Sequence, residues 1–155
     1  MKLEWMGKYR SFLESLIHYC NIYSAAYKVE AFDYKGVTYS FAIIQVLEYL
    51  IENEERNENM SRIAERLGIS RSNFTKLCKK IEEKGLIKKC GMEGSKKEIN
   101  LVVTEFGHEF YEQYSGLIFE GHFSKMFANL DKVPDKYLAM VEQGLRDAVN
   151  NAVLK

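Results

Sequence analysis

The sequence predicts a mainly α-helical fold with one small β-hairpin, in which a compact basic module lies between long amphipathic helices. Two short segments, Met60–Leu67 and Ser70–Lys84, carry apolar residues at i, i+3, i+4 and i+7 and lie close together in the chain. An alternating run at 99–103, after a glycine-containing turn, predicts the hairpin. With 155 residues, 46% of them hydrophobic, the chain is expected to form a single domain over residues 1–155.

The N-terminal segment is predicted to form a long helix. Its apolar residues recur at steps of four and three, which places them along one seam of a helix packed nearly parallel to another. These residues are Tyr9, Leu13, Leu16, Cys20, Tyr23 and Tyr27. Residues 33–36 are expected to end this helix, residues 41–51 to form a helix buried on nearly all sides, and residues 52–59 to form a loop.

The central module has the start and stop signals of two helices. Gly68 and Gly85 follow the two apolar stripes, where a glycine can end a helix by adopting a left-handed conformation. Ser70 is a good N-cap for the second helix. The apolar stripe of that helix consists of Phe74, Leu77, Cys78 and Ile81. The predicted order is therefore helix, turn, helix and hairpin.

Two closing helices are predicted after the hairpin. Thr104 can cap a helix that runs to about Leu130, and Pro134 stands where the first turn of a last helix would be. At 1.5 Å per residue the first of these helices would be roughly 40 Å long, more than a small domain needs for its own core.

Charge is unevenly distributed along a chain whose net charge is zero. Residues 61–97 carry 11 basic and 4 acidic side chains, whereas residues 1–60 and 98–155 are each net acidic. A basic block between acidic flanks is typical of a nucleic-acid-binding module within a larger scaffold, although a solvated lysine-rich face has the same composition.

The polar side of the second module helix is the candidate binding surface. Such a helix can enter the major groove of duplex DNA, while a basic hairpin reaches the sugar-phosphate backbone or the minor groove. Hydroxyl, amide and ammonium groups bond base edges or phosphates. The predicted DNA-binding residues are Ser70, Arg71, Ser72, Asn73, Thr75, Lys76, Lys79, Lys80, Lys88, Lys89, Lys96 and Lys97. A helix made soluble by its lysines and a hairpin that only covers the core are the alternative interpretations.

These residues resemble the MarR family of bacterial regulators. The similarity lies in Ile63–Leu77 (IAERLGISRSNFTKL), in Ile81–Ile87 (IEEKGLI) and in Val103–Gly107 (VTEFG), which is similar to the LTEKG of the family. Where family members commonly carry an acidic residue followed by two arginines, this sequence has SKK at residues 95–97. The basic charge is kept without the planar guanidinium of arginine, and the aspartate–arginine pair that stiffens the hairpin in the family is missing.

The resemblance implies a winged helix-turn-helix over residues 37–104 and dimerisation helices over residues 8–32 and 105–155. It also implies a homodimer that binds a near-palindromic site on double-stranded DNA as a transcriptional regulator, in most relatives a repressor that a small molecule releases. The many aromatic residues of the first two helices are compatible with an aromatic or lipophilic effector. Core packing would use the same residues.

Two sensing roles known in the family have candidate residues here. Some relatives sense oxidants through a cysteine on the first helix, which makes Cys20 a redox candidate. Others bind zinc, and His108 and Glu112 share one helix face with Glu105. Zinc requires three or four convergent ligands, so no metal or other cofactor is expected from these residues alone.

Other functional classes receive less support. The sequence has no phosphate-cradling glycine loop and no nucleophile motif, so an enzyme is not expected. A winged-helix module that binds other proteins and not DNA remains an alternative. The three cysteines are expected to be reduced and packed as small apolar groups. Without a signal peptide or a membrane span, the protein is expected in the cytoplasm.

Overall fold

Seven α-helices and two antiparallel β-hairpins make up the described part of the chain, which in this computed structural model comprises residues 4–27, 29–91 and 99–150. After a 3₁₀ segment at Glu4–Tyr9, the elements are α1 Arg10–Ala26, β1 Glu30–Tyr34, β2 Val37–Ser40, α2 Phe41–Arg56, α3 Met60–Arg66, α4 Arg71–Glu83, β3 Ile87–Gly91, β4 Ile99–Val103, α5 Glu105–Ile118, α6 Ser124–Leu130 and α7 Asp135–Asn150. The chain divides into two compact units, Met1–Tyr111 and Glu112–Lys155. The predicted fold class is confirmed.

The first hairpin, β1–β2, lies where the sequence predicts only the end of the first helix. The chain turns at Lys35 and Gly36, which have φ values of 51° and 77°. A two-residue turn with two positive φ values matches the twist of the strands on either side. Tyr34 pairs with Val37 across this turn. The helix break is therefore predicted correctly, while the two strands around it are missed.

Aromatic packing explains why these strands form. The rings of Phe32 and Tyr34 each lie edge-on to the ring of Phe110 in α5, at centroid distances of 5.5 Å. The ring of Tyr39 lies 4.3 Å from the same ring, and both Tyr39 and Phe110 are buried. Because Phe110 is remote in sequence from the hairpin, no local pattern predicts this contact.

Helix α2 supplies much of the core of the first unit and is longer than predicted. Its buried residues are Ala42, Ile43, Ile44, Val46, Leu47 and Leu50. The helix continues beyond Ile51 to Arg56, and Asn57 ends it in a left-handed conformation with φ 52°. The predicted loop is thus wrong up to Arg56, because Glu52 pairs with Arg56 one turn later at 2.6 Å and supports the helix.

The helix-turn-helix formed by α3 and α4 follows the predicted caps. The Ser70 hydroxyl accepts a hydrogen bond from the backbone N–H of Asn73 at 3.2 Å. Gly68 and Gly85 have φ values of 67° and 75°, the left-handed conformation that ends a helix. The predicted stripe of α4, Phe74, Leu77, Cys78 and Ile81, is buried. The local signals of this motif are confirmed.

The second hairpin, β3–β4, and the first turn of α5 meet at the peptide group of Leu86. Ile87 pairs with Val103 at the base of the hairpin. The backbone N–H and the hydroxyl of Thr104 both donate to the Leu86 carbonyl, at 3.0 and 3.1 Å. The N–H of Gly107 donates to the same hydroxyl at 3.0 Å, which is the predicted cap. A Cβ atom on Gly107 would lie 2.2 Å from the Leu86 oxygen, so only glycine fits here.

The second unit contains the end of α5, α6 and α7. Helical structure extends from Glu105 to Leu130 as predicted, but it contains a π-helical turn at Phe119–Phe123 between α5 and α6 that the sequence does not predict. A π-helical turn inserts an extra residue into the helix. In this unit it accompanies ring contacts of Phe127 with Phe119 and Phe123, at centroid distances of 6.0 and 5.4 Å.

Pro134 lies immediately before α7 and not within its first turn. Its carbonyl oxygen accepts a hydrogen bond from the N–H of Tyr137 at 2.8 Å, which places Pro134 at the cap position. The predicted position is therefore wrong by one residue, although the helix begins where expected.

Helices α1 and α7 leave apolar faces uncovered. Neither helix contains a buried residue. Large apolar side chains such as Ile22 on α1 and Met140 on α7 are more than half exposed. Within the described ranges, no helix has both the length and the hydropathy that a membrane span requires.

Candidate nucleic-acid interface

Helix α4 separates its side chains into a buried apolar stripe and an exposed polar face. Phe74 and Ile81 are completely buried, so the orientation of the helix about its own axis is fixed by the core. The predicted binding residues on and next to this helix are all exposed; they are Ser70, Arg71, Ser72, Asn73, Thr75, Lys76, Lys79 and Lys80. We call this set the α4 face. The structure therefore places these residues on one accessible surface.

Two hydroxyl groups of the α4 face already have backbone partners. Ser70 caps the helix, and the Thr75 hydroxyl donates to the carbonyl of Arg71 at 2.9 Å. Each oxygen keeps some capacity to accept a further bond. The side chains of Asn73 and Lys76, in contrast, form no hydrogen bond with another described residue. Both side chains therefore keep their hydrogen-bonding capacity for a partner.

The basic groups of the module are not equally available. Lys79 lies 3.8 Å from Glu83 of the same helix, and Lys89 of β3 forms an ion pair with Glu82. Four other predicted residues form no ion pair with any described residue; they are Arg71, Lys76, Lys80 and Lys88. These four groups supply most of the uncompensated positive charge of the described module.

The wing, defined as β3, β4 and the segment 92–98 that connects them, is described only in its strands. Lys88 and Lys89 are exposed on β3. Lys96 and Lys97, and most of the predicted glycine-containing turn, lie outside the described residues. The role assigned to Lys96 and Lys97 from the sequence therefore stays a prediction.

Arg66, which the sequence does not single out, ties α3 to α2. Its guanidinium donates to Glu52 at 2.5 Å and to Glu58 at 2.8 Å, and it lies 5.0 Å from the ring centroid of Tyr49. The hydrogen bond from Arg66 lowers the pKa of the Glu52 carboxyl, and the same bond raises the pKa of Arg66. These partners come from another helix and a loop, so helical periodicity does not reveal them. Arg66 positions the helix against which α4 packs.

Lys84, at the end of α4, contributes to the basic composition but has a structural role. Its ammonium donates to the carbonyl of Thr38 at 2.8 Å and lies 4.8 Å from the ring centroid of Tyr39. It is therefore held against β2 and does not belong to the α4 face. Part of the positive charge counted in the sequence is used inside the module.

The three cysteines lie in different environments. Burial raises the pKa of the Cys78 thiol to about 12, so this group stays protonated and unreactive at neutral pH. Cys90 is partly buried, while Cys20 is exposed on α1. The expectation that all three pack as apolar groups is thus wrong for Cys20, because α1 has no buried side.

The residues considered for zinc do not form a described metal site. His108 Nε2 lies 3.2 Å from Glu54 Oε1, a contact that links α5 to α2. Glu112 is exposed in the middle of α5. In the part of the chain that the structure describes, no three histidine, cysteine or acidic side chains converge as metal ligands.

Comparison with known proteins finds a match to one family model and a set of similar structures. Residues 36–97 match the model of the MarR family. The fold is similar to the MarR/EmrR family transcriptional regulator from Acinetobacter sp. ADP1, with a TM-score of 0.65, 18% identity and coverage of 91% of this chain and 95% of that chain.

Two structures of DNA complexes are also similar. For S. aureus MepR in complex with DNA, the TM-score is 0.62 and the identity 18%, with 90% of this chain and 94% of that chain covered. For Streptococcus pneumoniae FabT in complex with DNA, the TM-score is 0.59 and the identity 15%, with 92% of this chain and 96% of that chain covered. At these sequence identities, the structural similarity establishes the fold of this chain and nothing further. No curated protein sequence matches this chain significantly.

Proposed function

We propose that this chain, in which residues 36–97 match the model of the MarR family, is a transcriptional regulator that binds double-stranded DNA as a homodimeric repressor. In this proposal the α4 face contacts base edges in the major groove, and the wing contacts neighbouring phosphates. The operator is near-palindromic, with half-sites separated by about one helical turn, roughly 34–36 Å.

The division of α4 into a buried and an exposed side is the observation that carries this proposal. A recognition helix must be held rigidly on one side and present polar groups on the other. Asn73 and Lys76 have the chemistry to bond base edges, and Arg71 and Lys80 have the charge to bond phosphate. The DNA complexes of MepR and FabT, which have similar folds, support the same use of the module.

A second copy of the chain is the proposed partner of the uncovered apolar faces. On α1, Phe12, Ile17 and Ile22 are about half exposed or more. On α7, Met140 and Val149 have exposed fractions of 69% and 72%. Exposed apolar faces of this kind mark interaction surfaces. A two-fold dimer would present two α4 faces to one duplex, as a near-palindromic site requires.

An aromatic or lipophilic small molecule is the proposed effector. The rings of Tyr19, Tyr23 and Tyr27 follow one another along α1 at centroid distances of 6.0 and 6.2 Å. The Tyr27 hydroxyl is buried and has no hydrogen-bond partner among the described residues. Burial also raises the pKa of Tyr27, so the hydroxyl stays a neutral donor. A ligand that offers an acceptor to this group would satisfy it.

Selection of duplexes from a randomised pool, followed by affinity measurements over a range of salt concentrations, tests the proposal. We expect an enriched inverted repeat and an affinity that falls with salt, with a slope of about −0.9 for each phosphate neutralised. Asn73→Ala and Lys76→Ala should change the preferred sequence. Lys88→Ala should weaken binding to all sequences alike.

Lys125→Ala, on the exposed surface of α6, is the matched control and should leave both affinity and preference unchanged. A pool without enrichment together with an affinity that does not respond to salt would contradict the proposal. That outcome would favour a winged-helix module that binds other proteins.

A further inference from the structure

Lys88 and Lys89 are neighbours in β3 but project from opposite faces of the strand. Successive side chains of a strand alternate between its two faces. Ile87 is buried, so Lys89, two residues later, shares the face of β3 that packs inward. Lys88 projects from the other face and is exposed. Two lysines that look equivalent in the sequence therefore have different surroundings.

The ammonium group of Lys89 is held by the last turn of α4. It donates to a carboxylate oxygen of Glu82, with side-chain exposures of 43% for the lysine and 33% for the glutamate. The positive charge of Lys89 also acts on the buried Cys78 thiol, one turn earlier on α4, where it opposes the rise in pKa that burial causes. Both observations place the Lys89 charge over α4.

The backbone fixes the base of the wing to α4. The N–H of Leu86 donates to the carbonyl of Ile81 at 3.1 Å, and the buried Ile87 follows directly. Beyond that residue, the Lys89–Glu82 bond is the only side-chain hydrogen bond between α4 and β3 among the described residues. The pair therefore adds a polar link between α4 and β3 beyond the buried base of the hairpin.

We propose that Lys89 is a positioning residue, which through Glu82 sets the angle between α4 and the wing, while Lys88 is the phosphate-contacting lysine of β3. This inference rests on the proposed DNA-binding function. An ion pair as exposed as this one adds little to the free energy of folding. Its effect is on geometry, because the α4 face and the wing must fit the same duplex.

Two acidic neighbours provide a matched test. Glu82→Gln and Glu83→Gln each remove one negative charge from the last turn of α4, but only Glu82 holds Lys89, since Glu83 lies near Lys79. Removal of a negative charge close to DNA should by itself strengthen binding. We expect E83Q to bind the selected duplex at least as tightly as the wild type. We expect E82Q to bind about two- to fivefold more weakly than E83Q.

The lysines provide the second comparison. Lys88→Gln should weaken binding and reduce the salt slope by about 0.9, as the loss of one phosphate contact does. Lys89→Gln should weaken binding more than E82Q, because it removes a positive and not a negative charge, and should leave the salt slope unchanged. The exchanged pair Glu82→Lys with Lys89→Glu should recover most of the affinity, because it restores the bond in the opposite direction.

Hydrogen exchange in the free full-length protein tests the positioning role without DNA. E82Q and K89Q should accelerate exchange of the β3 and β4 backbone amides, whereas E83Q and K88Q should not. If the wild-type protein enriches no duplex, the proposed function fails, and the exchange experiment still decides whether the pair holds the wing.

The inference is overturned if E82Q binds DNA as tightly as E83Q, or if K89Q reduces the salt slope as K88Q does. Either result would make Lys89 a phosphate contact that Glu82 merely neutralises. Unchanged exchange of the β3 and β4 amides in E82Q would also overturn it.

Discussion

Helices α4 and α7 each carry apolar side chains along one face, and the two faces differ in burial. The stripe of α4 is buried within its own chain, whereas Val141, Leu145 and Val149 of α7 keep exposed fractions of 48%, 38% and 72%. An apolar stripe therefore indicates that one face of the helix will be buried, but it does not identify the partner that buries it. The stripe of α4 is buried by residues of the same chain, so the helix-turn-helix needs no second chain for its core. For α7 we propose that this burial comes from a second copy.

The largest expected effect is a difference in stability between a variant in the stripe of α4 and a variant in that of α7. Phe74→Ala should lower the free energy of unfolding by about 3–5 kcal/mol, because it leaves a large cavity in a core that is fully enclosed. Val149→Ala should change the stability of the monomer by less than about 0.5 kcal/mol, because the side chain is exposed. Urea denaturation measures both changes.

Protein concentration sharpens this comparison. The loss in Phe74→Ala should not depend on concentration, while any loss in Val149→Ala should increase with concentration, because it acts through self-association. Sedimentation of both variants checks the oligomeric state. Equal losses in the two variants at all concentrations would show that α7 does not have an interface role.

Two helical glycines give the second comparison. A Cβ on Gly107 would lie 2.2 Å from the backbone oxygen of Leu86, whereas a Cβ on Gly144 of α7 would meet no atom within 4 Å. We expect Gly107→Ala to destabilise the protein by about 1–3 kcal/mol through steric overlap. Gly144→Ala should stabilise it by about 0.5–1 kcal/mol through helix propensity. Thermal unfolding should show midpoints that move in opposite directions; a shift of both in the same direction would contradict the packing at Leu86.

The smallest effect concerns two ion pairs. The hydrogen bond from Arg66 lowers the pKa of Glu52 below the ordinary value of 4.5, so its contribution is complete above that pH and is lost as the pH falls through the lowered pKa. Glu52→Gln should cost less than about 1 kcal/mol at neutral pH and should flatten the loss of stability on acidification.

Glu142→Gln is the control from α7, where the carboxylate pairs with Arg146 on the open surface. We expect no measurable change in stability for this variant at either pH. Urea midpoints at neutral and acidic pH measure the difference, and a wild-type acid response retained in Glu52→Gln would disprove the role given to the Arg66 bond.

Features of the module that depend on neighbouring residues can be predicted from the sequence. The caps at Ser70 and Thr104, the left-handed glycines at 68 and 85 and the buried stripe of α4 all arise from interactions within a few residues. Such interactions can be predicted from the spacing and type of the residues. The exposure of the α4 face follows from the same stripe, which is why these candidate residues could be named in advance.

Features that depend on distant partners could not be predicted in this way. Strands β1 and β2 form against Phe110, Arg66 of α3 is bound by Glu52 of α2, and Lys89 is directed to Glu82 on α4. In each case the deciding partner belongs to another element. Strand alternation places Lys88 and Lys89 on opposite faces, but only the packing of β3 shows that Lys89 meets Glu82.

Several hydrogen bonds converge on the Leu86 peptide, which makes it a pivot next to the helix-turn-helix. The end of α4 and the first turn of α5 both form hydrogen bonds with this peptide, and β3 begins at the next residue, so we expect a movement of the α5 turn to reach the other two elements. With 13 residues, α4 is about 20 Å long, and a rotation of roughly 10° at this pivot moves its far end by about 3 Å. The side chains of Arg71 and Asn73 lie at that far end. A small displacement at α5 would therefore be amplified at the end of α4 that carries part of the proposed DNA-contacting surface.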